Sequence, residues 1–532
     1  MKAFLMYRDR DFEFRGKFSP NGWYGRDNRP FAEVDAALPA HAADLIQDLE
    51  LDKLFSAMSL NDPFLFAIAK QAVICGVADP DAIRYRQDVL RDCLAHPDTV
   101  RGLYDLAAET ILRNSKIWRS TYSATAILSS AVEVMRMLVE MLKRLRSIAD
   151  DHADQFRSEG FIRFFNMLKA ELDDEYFATV EEHLRQLKFG GGELISARLG
   201  KGSKGASYIL RKPWPDTRSW VERILGKGPP AYSYEVAPRD IAGSQALGEL
   251  AGRGANLVAN ALAQSADHVL SFFQMLLTEL GFYVGCLNLH ERLAGKGEPT
   301  CFPVPLGVDE SAFSAEGLYD VCLTLTMEGR VVGNDVAADG KELVVITGAN
   351  QGGKSTFLRS VGLSHLMMQC GMFVPAVRFS ANVCNGAFTH YKREEDASMT
   401  TGKFDEELKR MSTIIDRMQP RSLMLFNESF ASTNEREGSE IGRQIVRAML
   451  GAHIKVVYVT HMFDLASGFR RQNVGNTLFL RAEREPDGRR TFRLIEGEPL
   501  STSYGPDLYR EIFRTDTSEP SATGSSAITA GG

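Results

Sequence analysis

The stretch ELVVITGANQGGKSTFLRSV constrains this chain more than any other. It holds G-x-x-x-x-G-K-S from Gly348 to Ser355, after an apolar run from Leu343 to Ile346 and before a helical pattern through Val361, Leu366 and Cys370. Strand, glycine-rich turn and helix in that order make a phosphate-binding loop. Glycines let backbone N–H groups converge on phosphate oxygens without a Cβ in the way, and the helix N-terminus adds partial positive charge. Lys354 is placed to reach the β and γ phosphates of ATP, and Ser355 to offer its hydroxyl to Mg²⁺. The expected ATP-binding set is Gly348, Asn350, Gly352, Gly353, Lys354, Ser355 and Thr356. A glycine-rich turn without a ligand is the bland alternative, and the flanking strand and helix argue against it. From about Gly317 the surrounding pattern agrees: short apolar runs (LVVIT, SLMLF, KVVYVT) alternate with helical patterns such as FDEELKRMSTIIDRM, where Leu408, Met411, Ile415 and Met418 fall in register. Continuous apolar strands between helices predict a parallel sheet covered on both faces.

The second of those strands ends awkwardly. RSLMLFNESFASTN runs from Arg421 to Asn434, and where many ATPases carry a magnesium-holding aspartate it has Asn427, with Glu428 beside it. An amide offers a dipole where a carboxylate offers charge, so metal affinity should fall and the ion should depend more on Ser355 and the phosphates. Ser355, Asn427 and Glu428 are the expected metal neighbours. After a helix through Ile441, Ile445 and Met449, VVYVTH sets His461 just past a third strand. A histidine there is either bland or in contact with the γ-phosphate or the attacking water.

Upstream, AILSSAVEVMRMLVEMLKRLRSI repeats Leu128, Val132, Met135, Val139 and Leu142 at helical spacing. A second helical region, from about Ser244 to Leu289, carries Leu270, Phe273, Leu277, Leu280 and Val284 on one face. Such stripes predict packed long helices. Between the two, Lys188 to Lys227 holds nine Lys or Arg against three acids, with Tyr208, Trp214 and Trp220 interleaved, in a chain whose net charge is -7. A local basic patch for nucleic acid is one reading and a solvated β-ribbon the other. Seven scattered cysteines form no C-x-x-C pair, which predicts reduced thiols rather than a zinc knuckle or disulfide framework. No signal peptide is recognisable, no apolar stretch is expected to reach the length of a membrane span, and the expected location is the cytoplasm. The segment after Thr515, rich in Ser, Thr, Ala and Gly, predicts a disordered tail.

TGANQGGKSTFLRSVGLSHLMMQCGMFVPA, LMLFNESFASTNE and VVYVTHMFDLA together resemble the C-terminal ATPase of MutS-type DNA mismatch-repair proteins, an ABC-type ATPase, most specifically from about Asn334 to Asp464. RYRQDVLRDCL and TSYGPDLYREIF are consistent with it. The resemblance implies a multidomain chain. An uncertain N-terminal segment (1–70) precedes mostly α-helical core and lever helices (71–187 and 241–316), interrupted by a small, basic β-rich clamp insertion (188–240). An α/β P-loop, ABC-type ATPase domain (317–515) and the tail (516–532) follow. It also implies that Glu428 polarises the attacking water and that His461 helps hold it in line. Arg198, Lys201, Lys204, Arg211 and Lys212 become the expected DNA-backbone contacts. A second subunit's signature loop would complete the site, with Ser398, Thr400, Thr401 and Gly402 the nearest matches here, although Gly402-Lys403 stands where the family has Ser-Thr. Only about 345 residues precede the loop, and Phe31 to Glu33 is too short a pattern to place a mismatch-reading wedge.

The reading is therefore a homodimeric, slowly ATP-hydrolysing clamp on duplex or branched DNA in mismatch repair or recombination, with downstream repair proteins as possible partners and no membrane. The rival is an ATP-gated protein scaffold without DNA binding or significant hydrolysis. A transporter motor lacks its L-S-G-G-Q signature here, and a chromosome-condensing ATPase would need longer helices than the sequence predicts.

Overall fold

A computed structural model describes residues 1–15, 38–117, 124–187, 195–203, 205–210, 241–349, 351–393, 402–472, 476–485 and 490–500. Phe31 to Glu33 and the Ser/Thr-rich tail lie outside these residues. The chain divides into two compact units, one of 1–42, 52–305 and 366–374, the other of 43–51, 306–365 and 375–532.

The first unit is helical, and local chemistry sets its helix starts. Pro80–Ala95 (α1) begins at a proline after the capping Asp79, whose side chain accepts from Asp81 N. Pro97–Lys116 (α2) also begins at a proline. Proline is at home at a first helical position, where its missing N–H would have no partner anyway. Ala124–His152 (α3) buries Leu128, Val132, Met135, Val139 and Leu142, the stripe read from the sequence. The last helix, Ile241–Gly295 (α4), has 55 residues, longer than the sequence predicts, and packs against α2 and α3. Its C-terminal half is buried on more than the one expected face: Phe272, Leu276, Phe282 and Tyr283 are as enclosed as Phe273, Leu277 and Leu280. The membrane-length expectation needs correction here. Val258–Gly295 is long and apolar enough to cross a bilayer by length and composition, but its most apolar stretch is mostly buried inside the protein. A helix that is apolar all round suits a core position surrounded by other helices. Between α3 and α4, Ile195–Leu199 (β1) and Gly205–Leu210 (β2) form an antiparallel hairpin.

The second unit is α/β. Its main sheet has the order β12-β11-β6-β10-β9-β8, from Leu343–Thr347 (β6), Ala387–Tyr391 (β8), Leu423–Asn427 (β9), Lys455–Val459 (β10), Thr477–Arg484 (β11) and Arg490–Glu496 (β12). Strands β8 to β11 and β6 run parallel, as expected of fully apolar runs, and β12 returns antiparallel to β11, so the sheet is mixed rather than purely parallel. Every residue of β6 and β10 is buried. A second sheet, unanticipated from the sequence, joins Val304–Leu306 (β3), Phe313–Leu318 (β4), Asn334–Ala337 (β5) and Arg378–Asn382 (β7) in the order β3-β7-β4-β5. Helix Lys354–Gln369 (α5) follows β6, Lys403–Ile415 (α6) precedes β9, and Glu435–Gly451 (α7) joins β9 to β10. One helical register shifts: α6 buries Met411 and Ile414 while Ile415 is 49% exposed, and Met418 lies beyond its end.

Candidate nucleotide site

Parallel register brings the candidate residues together. Strand β10 lies between β6 and β9, with Val459 opposite both Ile346 and Asn427. The segments leaving the three strands therefore emerge on one edge of the sheet, the glycine-rich loop from β6, Glu428 from β9 and His461 from β10. Gly348 opens the loop at φ 114°, and a Cβ there would stand 2.9 Å from Ala482 N of β11. Only glycine meets both demands. Lys354 at the head of α5 is buried, and its Nζ donates to the carbonyls of Gly348 (3.0 Å) and Ala349 (2.9 Å). Burial lowers the pKa of its ammonium, against the charge of Glu428. Ser355 Oγ donates to Asn427 Oδ1 at 2.9 Å, so the side chain that replaces an aspartate still faces the loop serine.

Glu428 sits in a left-handed backbone conformation at φ 53°, and Phe430 follows at φ 62°. Such conformations cost non-glycine residues on the order of 1–3 kcal/mol each and persist where surrounding bonds over-determine them. Glu428 N donates to Val459 O, Tyr458 Oη to Ser429 O, and Ser429 Oγ to His390 O. Beneath them α7 passes so close that a Cβ on Gly438 would fall 2.2 Å from Phe430 O. The result is a fixed carboxylate. Its Oε2 accepts from His461 N at 3.0 Å and from His461 Nδ1, while Oε1 has no hydrogen bond among the described residues. The bond to Glu428 raises the pKa of His461, against burial and the charges of Lys392 and Lys354. One anchored oxygen and one open oxygen suit a general base that must hold a water in a fixed direction.

The metal question turns on the donor set. Ser355 and Asn427 present two neutral oxygens, Glu428 is engaged with His461, and no cluster of three or more His, Cys, Asp or Glu side chains fit for a metal occurs among the described residues. That set fits a magnesium already carried by nucleotide phosphates rather than a free ion, because hard cations want charged oxygens. Beside the loop opens a cavity of about 390 Å³, walled by Leu318, Met327, Val332 and Phe492 and floored by Gln351 to Thr356. An apolar slot next to a phosphate cradle is what a nucleoside needs.

Other candidates fall elsewhere. Thr356 lies on the first turn of α5, half-buried. Gly402 caps α6 with open space around it. Arg198 and Lys201 are exposed on the β1–β2 hairpin. Asn350, Ser398, Thr400, Thr401, Lys204, Arg211 and Lys212 lie outside the described residues. Sequence reading missed Lys392, whose N–H donates to Asn427 O at 2.9 Å, and it missed His390 and Ser429 beneath Glu428. No motif marks these; only the β8–β9 register, with Tyr391 opposite Asn427, brings them in.

Two family models match the chain. The MutS2 N-terminal domain matches residues 78–296 and MutS domain V matches residues 344–512. Among curated relatives, the DNA mismatch repair protein MutS of Thermotoga neapolitana is 33% identical over 178 residues, 33% of this chain and 22% of that protein. That of Clostridium botulinum strain Hall is 30% identical over 155 residues, 28% of this chain and 17% of that protein. The mouse MutS protein homolog 4 is 28% identical over 150 residues, 28% of this chain and 16% of that protein. The matched segment thus spans less than a quarter of each of these relatives.

Proposed function

The chain belongs to the MutS-type DNA mismatch-repair family, and from that premise we propose that it is an ATP-hydrolysing, DNA-binding protein of that type. The observation that carries the reading is the catalytic edge: a phosphate loop, a carboxylate anchored through one oxygen, and a histidine bonded to it, all at adjoining strand ends. The loop N–H groups and Lys354 bind the phosphates, and the cavity beside Phe492 takes the nucleoside. Ser355 and Asn427 would hold a magnesium ion carried by the nucleotide, which would supply charge neutralisation at the phosphates. Glu428 Oε1 accepts a proton from the attacking water, and His461 keeps that carboxylate aimed. Two copies would complete each other's sites through the segment around Ser398 to Gly402, so that nucleotide state opens and closes a dimer around duplex or branched DNA. The basic hairpin segment carrying Arg198 and Lys201 supplies backbone contacts, the work is repair or recombination, downstream repair proteins are partners, and the setting is the cytoplasm.

A second reading has one specific observation in its favour. The neutral pair Ser355 and Asn427 suits an ATP-gated scaffold that is read by occupancy and scarcely hydrolyses. Steady-state ATP hydrolysis across a magnesium titration, with and without branched duplex DNA, separates the two. The ATPase reading expects turnover that rises with magnesium and DNA and that Glu428→Gln lowers by about 100-fold or more, in the range of a lost general base. Turnover of the unmodified protein no higher than that of Glu428→Gln would leave the scaffold.

A further inference from the structure

The edge of the sheet that carries Glu428 also carries a basic residue that this chemistry leaves unused. Lys392 is the first residue beyond β8, and its backbone N–H donates to the carbonyl of Asn427, which ends β9. Its side chain is exposed and makes no hydrogen bond or ion pair among the described residues. Against burial, its charge favours the ionised form of Glu407 on α6. Lys392 therefore stands at the same strand-end edge of the sheet as the phosphate loop and the Glu428–His461 pair.

Position 427 gives this placement a meaning. A carboxylate there would bring a negative charge that holds a divalent cation against the terminal phosphates. Asn427 brings none, and Lys392, the residue after the Tyr391 that pairs with Asn427, brings a positive charge to the end of the neighbouring strand. The other cations at the site have partners: Lys354 donates to two loop carbonyls and His461 is bonded to Glu428. Removing one negative charge and adding a positive one at the same edge weakens a site for Mg²⁺ and strengthens one for phosphate.

We propose that Lys392 is a phosphate-binding residue, a built-in cation that contacts the γ-phosphate of ATP and partly replaces the charge that an aspartate at position 427 would recruit as magnesium. ATP binding then needs little free divalent cation, and the site distinguishes ATP from ADP through a side chain as well as through the metal. The inference rests on the nucleotide-site reading given under Proposed function and goes beyond it in naming what carries the missing charge.

The test is a binding measurement, independent of turnover. Affinities for ATP and for ADP are measured by calorimetry, in excess EDTA and in saturating Mg²⁺, for the unmodified protein and for Lys392→Ala, Lys392→Arg, Asn427→Asp and Lys354→Ala. Lys392 is exposed, so the folding of its variants is expected to hold, and thermal unfolding checks it. In EDTA, Lys392→Ala should weaken ATP binding by roughly 10- to 100-fold, the size of a lost charge-assisted hydrogen bond, with ADP changed by less than about threefold. Lys392→Arg should keep most of the ATP affinity, and Asn427→Asp should make binding depend steeply on Mg²⁺.

Equal ATP affinity for Lys392→Ala and the unmodified protein in EDTA overturns the proposal, and so does an equal loss for ATP and ADP, which would mark general surface charge. If in that case Lys354→Ala still abolishes binding, the nucleotide site stands and only the role of Lys392 falls. If the unmodified protein binds neither nucleotide in either buffer, both readings fall.

Discussion

At the scale of single residues, the pair Glu428–His461 is the part of the site with the clearest measurable signature. One carboxylate oxygen takes both the backbone N–H and Nδ1 of the histidine, and that bond raises the imidazole pKa above its ordinary 6.5. Burial and the ammonium groups of Lys392 and Lys354 pull the other way. The folded state thus binds this proton more tightly than the unfolded chain does. Its contribution to stability is fully present below about pH 6.5 and is lost as pH rises through the raised value. Histidine NMR titration should find His461 above 6.5 in the unmodified protein and below 6.5 in Glu428→Gln, where burial and both lysines act without a carboxylate to oppose them. A pKa that does not move between the two proteins would mean that the bond does not govern the charge. Asn427 enters the same balance. With an amide there, Glu428 has no second carboxylate beside it at the strand end, so the histidine answers to a single partner.

At the scale of elements, the fold also has a part that side chains hold by gripping backbone. Residues 1–15 include no helix or strand, yet Leu5 and Met6 are fully buried in the helical unit. Glu279 of α4, itself completely enclosed, accepts from the N–H groups of Leu5, Met6 and Phe12, while Tyr283, Tyr85 and Arg86 donate to the carbonyls of Leu5, Phe4 and Met6. Burial pushes the Glu279 carboxyl up from 4.5 to about 7, less than it would without those three N–H donors. The folded state then holds this proton where the unfolded chain has released it, so stability falls as pH rises from about 4.5 through about 7, by about 3 kcal/mol at most. Urea unfolding at pH values on either side of that window should show the fall, and Glu279→Gln should flatten it. An identical pH profile in both proteins would assign the fall to other groups.

Which elements the sequence discloses follows from the same physics. Strands β6, β9 and β10 were legible because a continuous apolar run makes a strand buried on both faces, and the stripe of α3 because its burial follows the helical period. The gathering of Lys354, Ser355, Glu428 and His461 at adjoining strand ends was legible because each follows an apolar strand in the sequence. The N-terminal strap was not, because its partners lie as far as 278 residues away. Nor was the closure of the loop by Ala482 and Phe492, which come from a hairpin more than a hundred residues downstream of Gly348 and Gly353. Lys392 escaped for a related reason: strand register, which no single segment encodes, sets it beside Asn427.

At the scale of the whole molecule, the proposed ATP chemistry and the proposed DNA contact can be tested separately. The phosphate loop, Glu428 and His461 belong to the α/β unit, whereas the basic run from Lys188 to Lys227 lies in the chain of the helical unit. An acidic chain with net charge -7 can bind a polyanion only through such a local excess, and each phosphate it neutralises releases counterions. Affinity for duplex DNA should therefore fall linearly on logarithmic axes with salt. Replacing both Arg198 and Lys201 with alanine should reduce the slope by about two, if each side chain covers one phosphate. Because these two residues are exposed on the β1–β2 hairpin, their loss should leave ATP binding and the urea midpoint unchanged. An unchanged slope would move the DNA contact off the hairpin while leaving the ATPase reading intact. Absence of DNA binding even at low salt would remove the polyanion from the function altogether. The proposed ATP chemistry would then have to act on a protein partner.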